Sequence, residues 1–361
     1  MKKYFTMLLV AFSFSSLSIH SLAASWSNQV FNNLDYGLYW FGTGDNYQKA
    51  TPGHSNPYYN KYKKTVIYIH GWQQNSSVNK TRESFDVSNK GGPSQNIAEG
   101  WLNSDYNVGV LYWNQFADES EVKDAEAKIW VGNGPRNMRW RQVDGGYSNA
   151  PTDNSVTQLL YNSLKANMAD FQGAEFRITG HSLGNQLALT ISNSLLSDVE
   201  ANRITNKLLP KRVALLDPFY SIGRKAYLGN EWVGERSRNI ASRLISNGVV
   251  IEAYRSSPVT STIFAGDAND TLIDQVAFVE LKPWYFAAWD IGKKHSAAMW
   301  HYFWSFSFNP PSIRRSALDG VSASTDINRI EQLMSGGYKL VHHRGAWTRS
   351  PRDDQFKYVN K

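Results

Sequence analysis

The pentapeptide Gly180-His181-Ser182-Leu183-Gly184 constrains this chain more than any other feature, because it joins two segments of different periodicity. Residues 175–179 are a short β-favouring run, whereas Leu187, Leu189, Ile191, Leu195 and Leu196 mark the apolar side of a helix. A chain that passes from strand to helix within five residues turns so tightly that the positions two before and two after the serine have no room for a side chain. Both are glycine. The turn lifts the serine hydroxyl off the strand end and points it at a helix N-terminus, where backbone N–H groups favour developing negative charge. The pattern predicts a nucleophile elbow with Ser182 as the nucleophile.

The rest of the chain supplies a sheet for that elbow. Residues 65–69 are a β-branched run stopped by His70-Gly71, and further short apolar runs at 107–113, 211–216, 249–254 and 275–281 read as buried strands. Between them lie helical patterns around 94–102, from Ser155 to Met168, after Gly184, and over 296–306. Strands alternating with helices predict an α/β chain with a mostly parallel central sheet and helices on both faces, the α/β-hydrolase fold. Residues 24–361 read as one domain with a polar, aromatic lead-in to about 60 that adds an edge strand. A charged insertion spans about 115–154, with a short helix and Trp130 and Trp140 folded back on the body. A C-terminal extension over about 309–361 stays unassigned.

Composition narrows the function classes. Lys2 and Lys3, an apolar stretch and a small-residue site ending at Ala23 predict a signal peptide over 1–23, hence a secreted (extracellular or periplasmic) protein. No later run is long and apolar enough for a transmembrane segment. The chain has no cysteine, which excludes disulfides, a thiol nucleophile and thiolate metal sites, and in an exported protein points to a bacterial source. The net charge of +7 is scattered in singles and pairs, unlike the concentrated patch of a nucleic-acid binder. It accommodates a weak preference for anionic membrane surfaces.

A serine of ordinary acidity needs a base and an orienting acid. Asp217 ends the run after the elbow helix and is fixed by Pro218; Asp267 and Asp270 are the rival acids. For the base, His295 sits just before the 296–306 helix, in a loop free to reach back. His301 would lie inside that helix as a packed or locally hydrogen-bonded residue, and His342 and His343 belong to the unassigned tail. His70-Gly71-Trp72 follows the first buried strand, and the N–H groups of Trp72 and Leu183 form the expected oxyanion hole. Nothing in this set calls for a cofactor or a metal.

Ile69-His70-Gly71-Trp72, Gly180-His181-Ser182-Leu183-Gly184 and Leu216-Asp217-Pro218, in that order, resemble the pancreatic-type lipase family of triacylglycerol lipases, lipoprotein lipases and phospholipases A1. The resemblance covers roughly residues 64–306. It implies a Ser182–Asp217–His295 triad, an oxyanion hole from Trp72 and Leu183, and hydrolysis of lipid esters at a membrane or lipid–water interface. The absence of cysteine departs from the disulfide-bearing animal members. A soluble carboxylesterase, an acyltransferase using the same triad and a non-catalytic secreted binding protein are the alternative readings.

Overall fold

A computed structural model describes Trp26, residues 29–259 and residues 266–361. The expected signal peptide lies outside the described residues.

The strands in chain order are β1 Gly37–Phe41, β2 Tyr47–Lys49, β3 Lys64–Ile69, β4 Tyr106–Tyr112, β5 Phe176–His181 and β6 Arg212–Leu216. They continue with β7 Val250–Arg255, β8 Ala277–Glu280, β9 Ser312–Ile313, β10 Tyr338–Arg344 and β11 Gln355–Asn360. All belong to one sheet in the order β9-β11-β10-β8-β7-β6-β5-β3-β4-β1-β2. From β4 across to β10 every neighbouring pair is parallel, while β1 runs antiparallel to β4 and β11 antiparallel to β10. The fold is that of the α/β-hydrolases.

Strand chemistry explains the two-sided burial. Along β3, Ile67 and Ile69 enter one apolar core while Val66 and Tyr68 enter the other, the alternation that a pleated strand imposes. The first core is covered by α1 Val122–Trp130, α2 Val156–Asn167, α3 Gly184–Glu200 and α4 Val233–Ser246. The second lies beneath α5 Ile291–Ser305 and α6 Ile327–Ser335. Helix α2 starts where Ser155 accepts from the Gln158 N–H and Gln158 reaches back to the Ser155 N–H, a reciprocal cap.

Four regions refine the sequence reading. The lead-in contributes two edge strands, β1 and β2. The pattern around 94–102 yields only a short helix, Glu99–Asn103. The insertion holds α1 and a hairpin of Arg139–Arg141 with Tyr147–Asn149; Trp140 is buried and Trp130 Nε1 donates to Gln186 Oε1 at 2.8 Å. The unassigned extension supplies β9, α6, β10 and β11, so it continues the central sheet.

The order of connection locates the site. From β3 the chain moves one way to β4, then crosses back over β3 to β5 and proceeds the other way through β6, β7 and β8. In such sheets the crevice at the carboxyl ends of the strands flanking the reversal is where function collects. Those ends carry His70-Gly71 on β3 and Ser182 on β5.

Candidate active site

The elbow is built from close backbone approaches. Ser182 has a left-handed backbone, φ +56°, which costs a non-glycine residue about 1–2 kcal/mol. Neighbouring contacts hold it there. The Ser182 N–H donates to Leu216 O at 3.1 Å, and Ser182 O accepts from Phe219 N–H at 3.3 Å and from Asn185 Nδ2 at 2.9 Å. Asn185 also donates to Leu216 O and accepts from Leu216 N–H, at 3.0 and 2.8 Å, tying α3 to β6. A Cβ on Gly180 would overlap the backbone of Gly184, and one on Gly184 would overlap Ile69 O. The sterics inferred from the pentapeptide are those of the turn.

Asp217 follows β6 directly and is fully buried. Its Oδ1 accepts the N–H groups of Ser256 and Ser257 at 2.8 and 3.3 Å, and its Oδ2 accepts the Ser257 hydroxyl. The same Oδ2 stands 2.6 Å from His295 Nδ1. That pairing fixes the histidine with a proton on Nδ1 and leaves Nε2 as the basic nitrogen. Nε2 is bonded to none of the described residues, and the His295 side chain stays 17% exposed, so it can meet a reactant. Ser256 Oγ donates to Lys294 O at 2.6 Å, so the loop after β7 grips both the acid and the chain beside the histidine.

His295 is not in a loop ahead of the helix. Helix α5 begins at Ile291, with Asp290 at its N-cap position, and His295 lies on its second turn. The periodicity suggested Ser296 as the start, but the preceding Gly292-Lys293-Lys294 is helical too. The ring is thus carried on a regular element, pinned where His181 Nε2 meets His295 O at 3.0 Å. Burial beside His295 holds the His181 ring down at a pKa of about 3, so it stays neutral and donates to that carbonyl.

The structure joins Asp217 to His295 and sets the elbow against β3. A Cβ on Gly71 would stand 2.6 Å from Ser182 Cβ, so the His-Gly turn presses on Ser182 itself. Neither the Trp72 nor the Leu183 N–H has an acceptor among the described residues; the Trp72 indole is anchored by donating to Glu119 O at 2.8 Å. The Ser182 hydroxyl also makes no hydrogen bond to a described residue, so the serine–histidine contact is not closed. Such contacts commonly tighten only when a substrate is bound.

The rival candidates lie elsewhere. Asp267 binds the Tyr220 and Asn269 backbone, and Asp270 starts a short helix 3.8 Å from Arg255. His301 and His342 share the buried Asp354, and His343 is on the outer part of β10. Ser256, Ser257, His181 and Asn185 escaped the sequence reading, as did Glu126. Glu126 is a fully buried carboxyl of α1 that accepts Gln186 Nε2 and Ser221 N–H at 2.8 and 2.9 Å as well as the Ser221 hydroxyl. Burial raises its pKa. The one available signal was the position of Ser256-Ser257 at the carboxyl end of a strand. A cavity of about 670 Å³ lies near Trp40 and Asp170, apart from this chemistry.

No known protein-family model matches the chain, and no curated protein matches its sequence. Among solved structures it is similar to a poly(3-hydroxybutyrate) depolymerase from Bordetella parapertussis, at 14% identity over 59% of this chain and 63% of that one, with a TM-score of 0.32. It is also similar to an α/β hydrolase superfamily protein from Enterococcus faecalis (14% identity, 47% and 43% of the two chains, TM-score 0.22). A lipase/esterase from Lactobacillus plantarum shares 8% identity over 66% and 83%, with a TM-score of 0.31. The chain spans less than two thirds of the length of the first two. The fold assignment stands on strand order and the elbow rather than on these likenesses.

Proposed function

We propose that the protein is a secreted serine hydrolase that cleaves carboxylic esters, with lipid esters as its substrate class, through an acyl-enzyme on Ser182. The reading is carried by the Asp217–His295 pair, 2.6 Å apart, at the strand ends where the left-handed Ser182 rises against Gly71. His295 Nε2 accepts the Ser182 proton as Oγ attacks the ester carbonyl, and Asp217 stabilises the imidazolium that results. The tetrahedral oxyanion is held by the N–H groups of Trp72 and Leu183. The imidazolium then protonates the leaving alcohol, and water, deprotonated by the same Nε2, releases the acid.

Lipid esters are favoured by the order of the His-Gly-Trp, Gly-His-Ser-Leu-Gly and Asp-Pro motifs, which resembles that of the pancreatic-type lipases. Turnover of p-nitrophenyl esters of increasing acyl length, beside labelling by a fluorophosphonate, tests the proposal. Ser182→Ala is expected to abolish labelling and to lower kcat/KM by about 10³-fold or more. A wild-type protein that neither labels nor turns over any ester sinks the reading in favour of a non-catalytic binding protein.

A further inference from the structure

Three tryptophans are left uncovered in two neighbouring segments: Trp284 at 46%, Trp289 at 82% and Trp347 at 72% exposure. Trp284 and Trp289 belong to the segment leading into α5, and Trp347 to the turn between β10 and β11. The two regions are in contact: the Trp284 and Trp347 rings lie 5.2 Å apart, and the Trp284 N–H donates to Ala346 O at 2.9 Å. Leaving indoles in water forgoes their apolar burial, and such a cluster marks an interaction surface.

Cations stand beside Trp284 and the two aromatic residues that follow it. Lys282 Nζ stands 5.6 Å from the Trp284 ring, and Arg349 lies over Tyr285 and Phe286. Beside Trp284 opens a groove of about 370 Å³ into which Arg255, Lys282 and Lys294 face, with Glu280 the one carboxylate among its described lining residues. The neutralisation is weak: Lys282 is 3.9 Å from Glu280, Arg255 is 3.8 Å from Asp270, and Lys294 has no ion pair among the described residues. Ser256 and Ser257, which hold Asp217, form the groove's inner wall.

We infer that this face docks on an anionic phospholipid bilayer, with Trp289 and Trp347 entering the interfacial layer and the groove's cations meeting lipid phosphates. Indoles suit that layer because an apolar body and one N–H donor match its two sides. Cations beside them add attraction to a negative leaflet but not to a zwitterionic one. An apolar protein partner would leave the groove's cations unmatched, so charge selects the membrane. The inference deepens the lipid-ester reading and rests on it for its purpose, because docking here brings the His295 end of α5 to the lipid.

Co-sedimentation with vesicles of phosphatidylcholine alone, or of phosphatidylcholine mixed with phosphatidylglycerol, tests it beside turnover of soluble p-nitrophenyl acetate. Wild type is expected to bind the anionic vesicles in preference, less so at high salt. Trp289→Ser with Trp347→Ser together should weaken binding by about tenfold, and Lys282→Gln by about fivefold. Acetate turnover should stay within about twofold of wild type, since none of these side chains is in the triad. Brominated acyl chains should quench wild-type fluorescence, and the double variant should lose that quenching. Equal binding to both vesicle types, or unchanged binding by the double variant, overturns the inference. Vesicle binding without ester turnover would leave this surface standing and remove the hydrolase reading; turnover without vesicle binding would do the reverse.

Discussion

Helix α5 carries two histidines, each paired with a buried carboxylate, and the two pairs have opposite characters. His295 meets Asp217 at 2.6 Å and His301 meets Asp354 at the same distance. At the first pair the carboxylate's other contacts come from Ser256 and Ser257, and His295 keeps a free, partly exposed Nε2. At the second the other oxygen of Asp354 is taken by His342 Nε2 at 3.0 Å, and all three side chains are buried. His342 in turn accepts the Lys282 N–H through Nδ1. The second cluster therefore joins α5 to β10 and to the residue before β11 as a clamp; its remaining nitrogen, His301 Nδ1, has no partner among the described residues but is buried away from any reactant. A histidine–carboxylate pair becomes a candidate for chemistry only when the remaining nitrogen is both free and reachable from solvent and a nucleophile stands on the next strand.

Breaking each pair should separate these roles. Asp217→Asn is expected to lower kcat by about four orders of magnitude, because the imidazole loses its tautomer and its counter-charge. Asp354→Asn should instead cost about 2 kcal/mol of unfolding free energy, because the buried hydrogen bonds from His301 and His342 lose their charged acceptor. The folded fraction should keep wild-type kcat. Urea unfolding and active-site-titrated kinetics on both variants check this; a kcat collapse in Asp354→Asn would erase the contrast. Gly71→Ala places a Cβ 2.6 Å from Ser182 Cβ and should lower kcat about 100-fold through displacement of the nucleophile. Ser257→Ala removes one donor from Asp217 Oδ2 and should cost about tenfold in kcat, with KM unchanged.

Proton linkage gives a smaller, graded contrast on the elbow side. Burial lowers the pKa of His70 to about 4 and that of His181 to about 3. Both lie below the unfolded value of about 6.5, so the unfolded chain takes up protons that the folded one does not. Their contribution is complete above about pH 6.5 and falls as the pH drops toward each folded pKa, by up to about 1.4 kcal/mol per histidine per pH unit. His181→Gln should flatten the fall in melting temperature between about pH 6 and pH 4. An unaltered slope would mean that His181 is not held neutral.

The legible parts of the sequence were those where local sterics and periodicity act alone. Gly180 and Gly184 announced the turn because no other residue fits, and the β-branched run before His70 announced β3 because both its faces are covered. Asp217 could be placed by its position at a strand end. His295 was selected for the same neighbourhood, but its helix start was misplaced because Gly292 and the lysine pair conceal the first turn. Ser257, Glu126 and the Asp354 clamp were invisible for a different reason. Each acts through a partner distant in the chain, and nothing in the residues adjacent to it records that partner. The extension was unreadable on the same ground, since β10 and β11 owe their place to each other and to β8.

The Asp354 clamp also sets an order of assembly. The elbow and Asp217 precede α5 along the chain, so during synthesis they emerge first, whereas the carboxylate that anchors α5 emerges only after β10 has been made. Until then the helix bearing His295 lacks its tether to the far edge of the sheet. A ribosome-bound chain would thus hold its serine and acid in place while α5 is fastened only by the contacts around His295. Reactivity toward a serine-directed probe should reach the urea resistance of the finished protein only once Asp354 has left the ribosome.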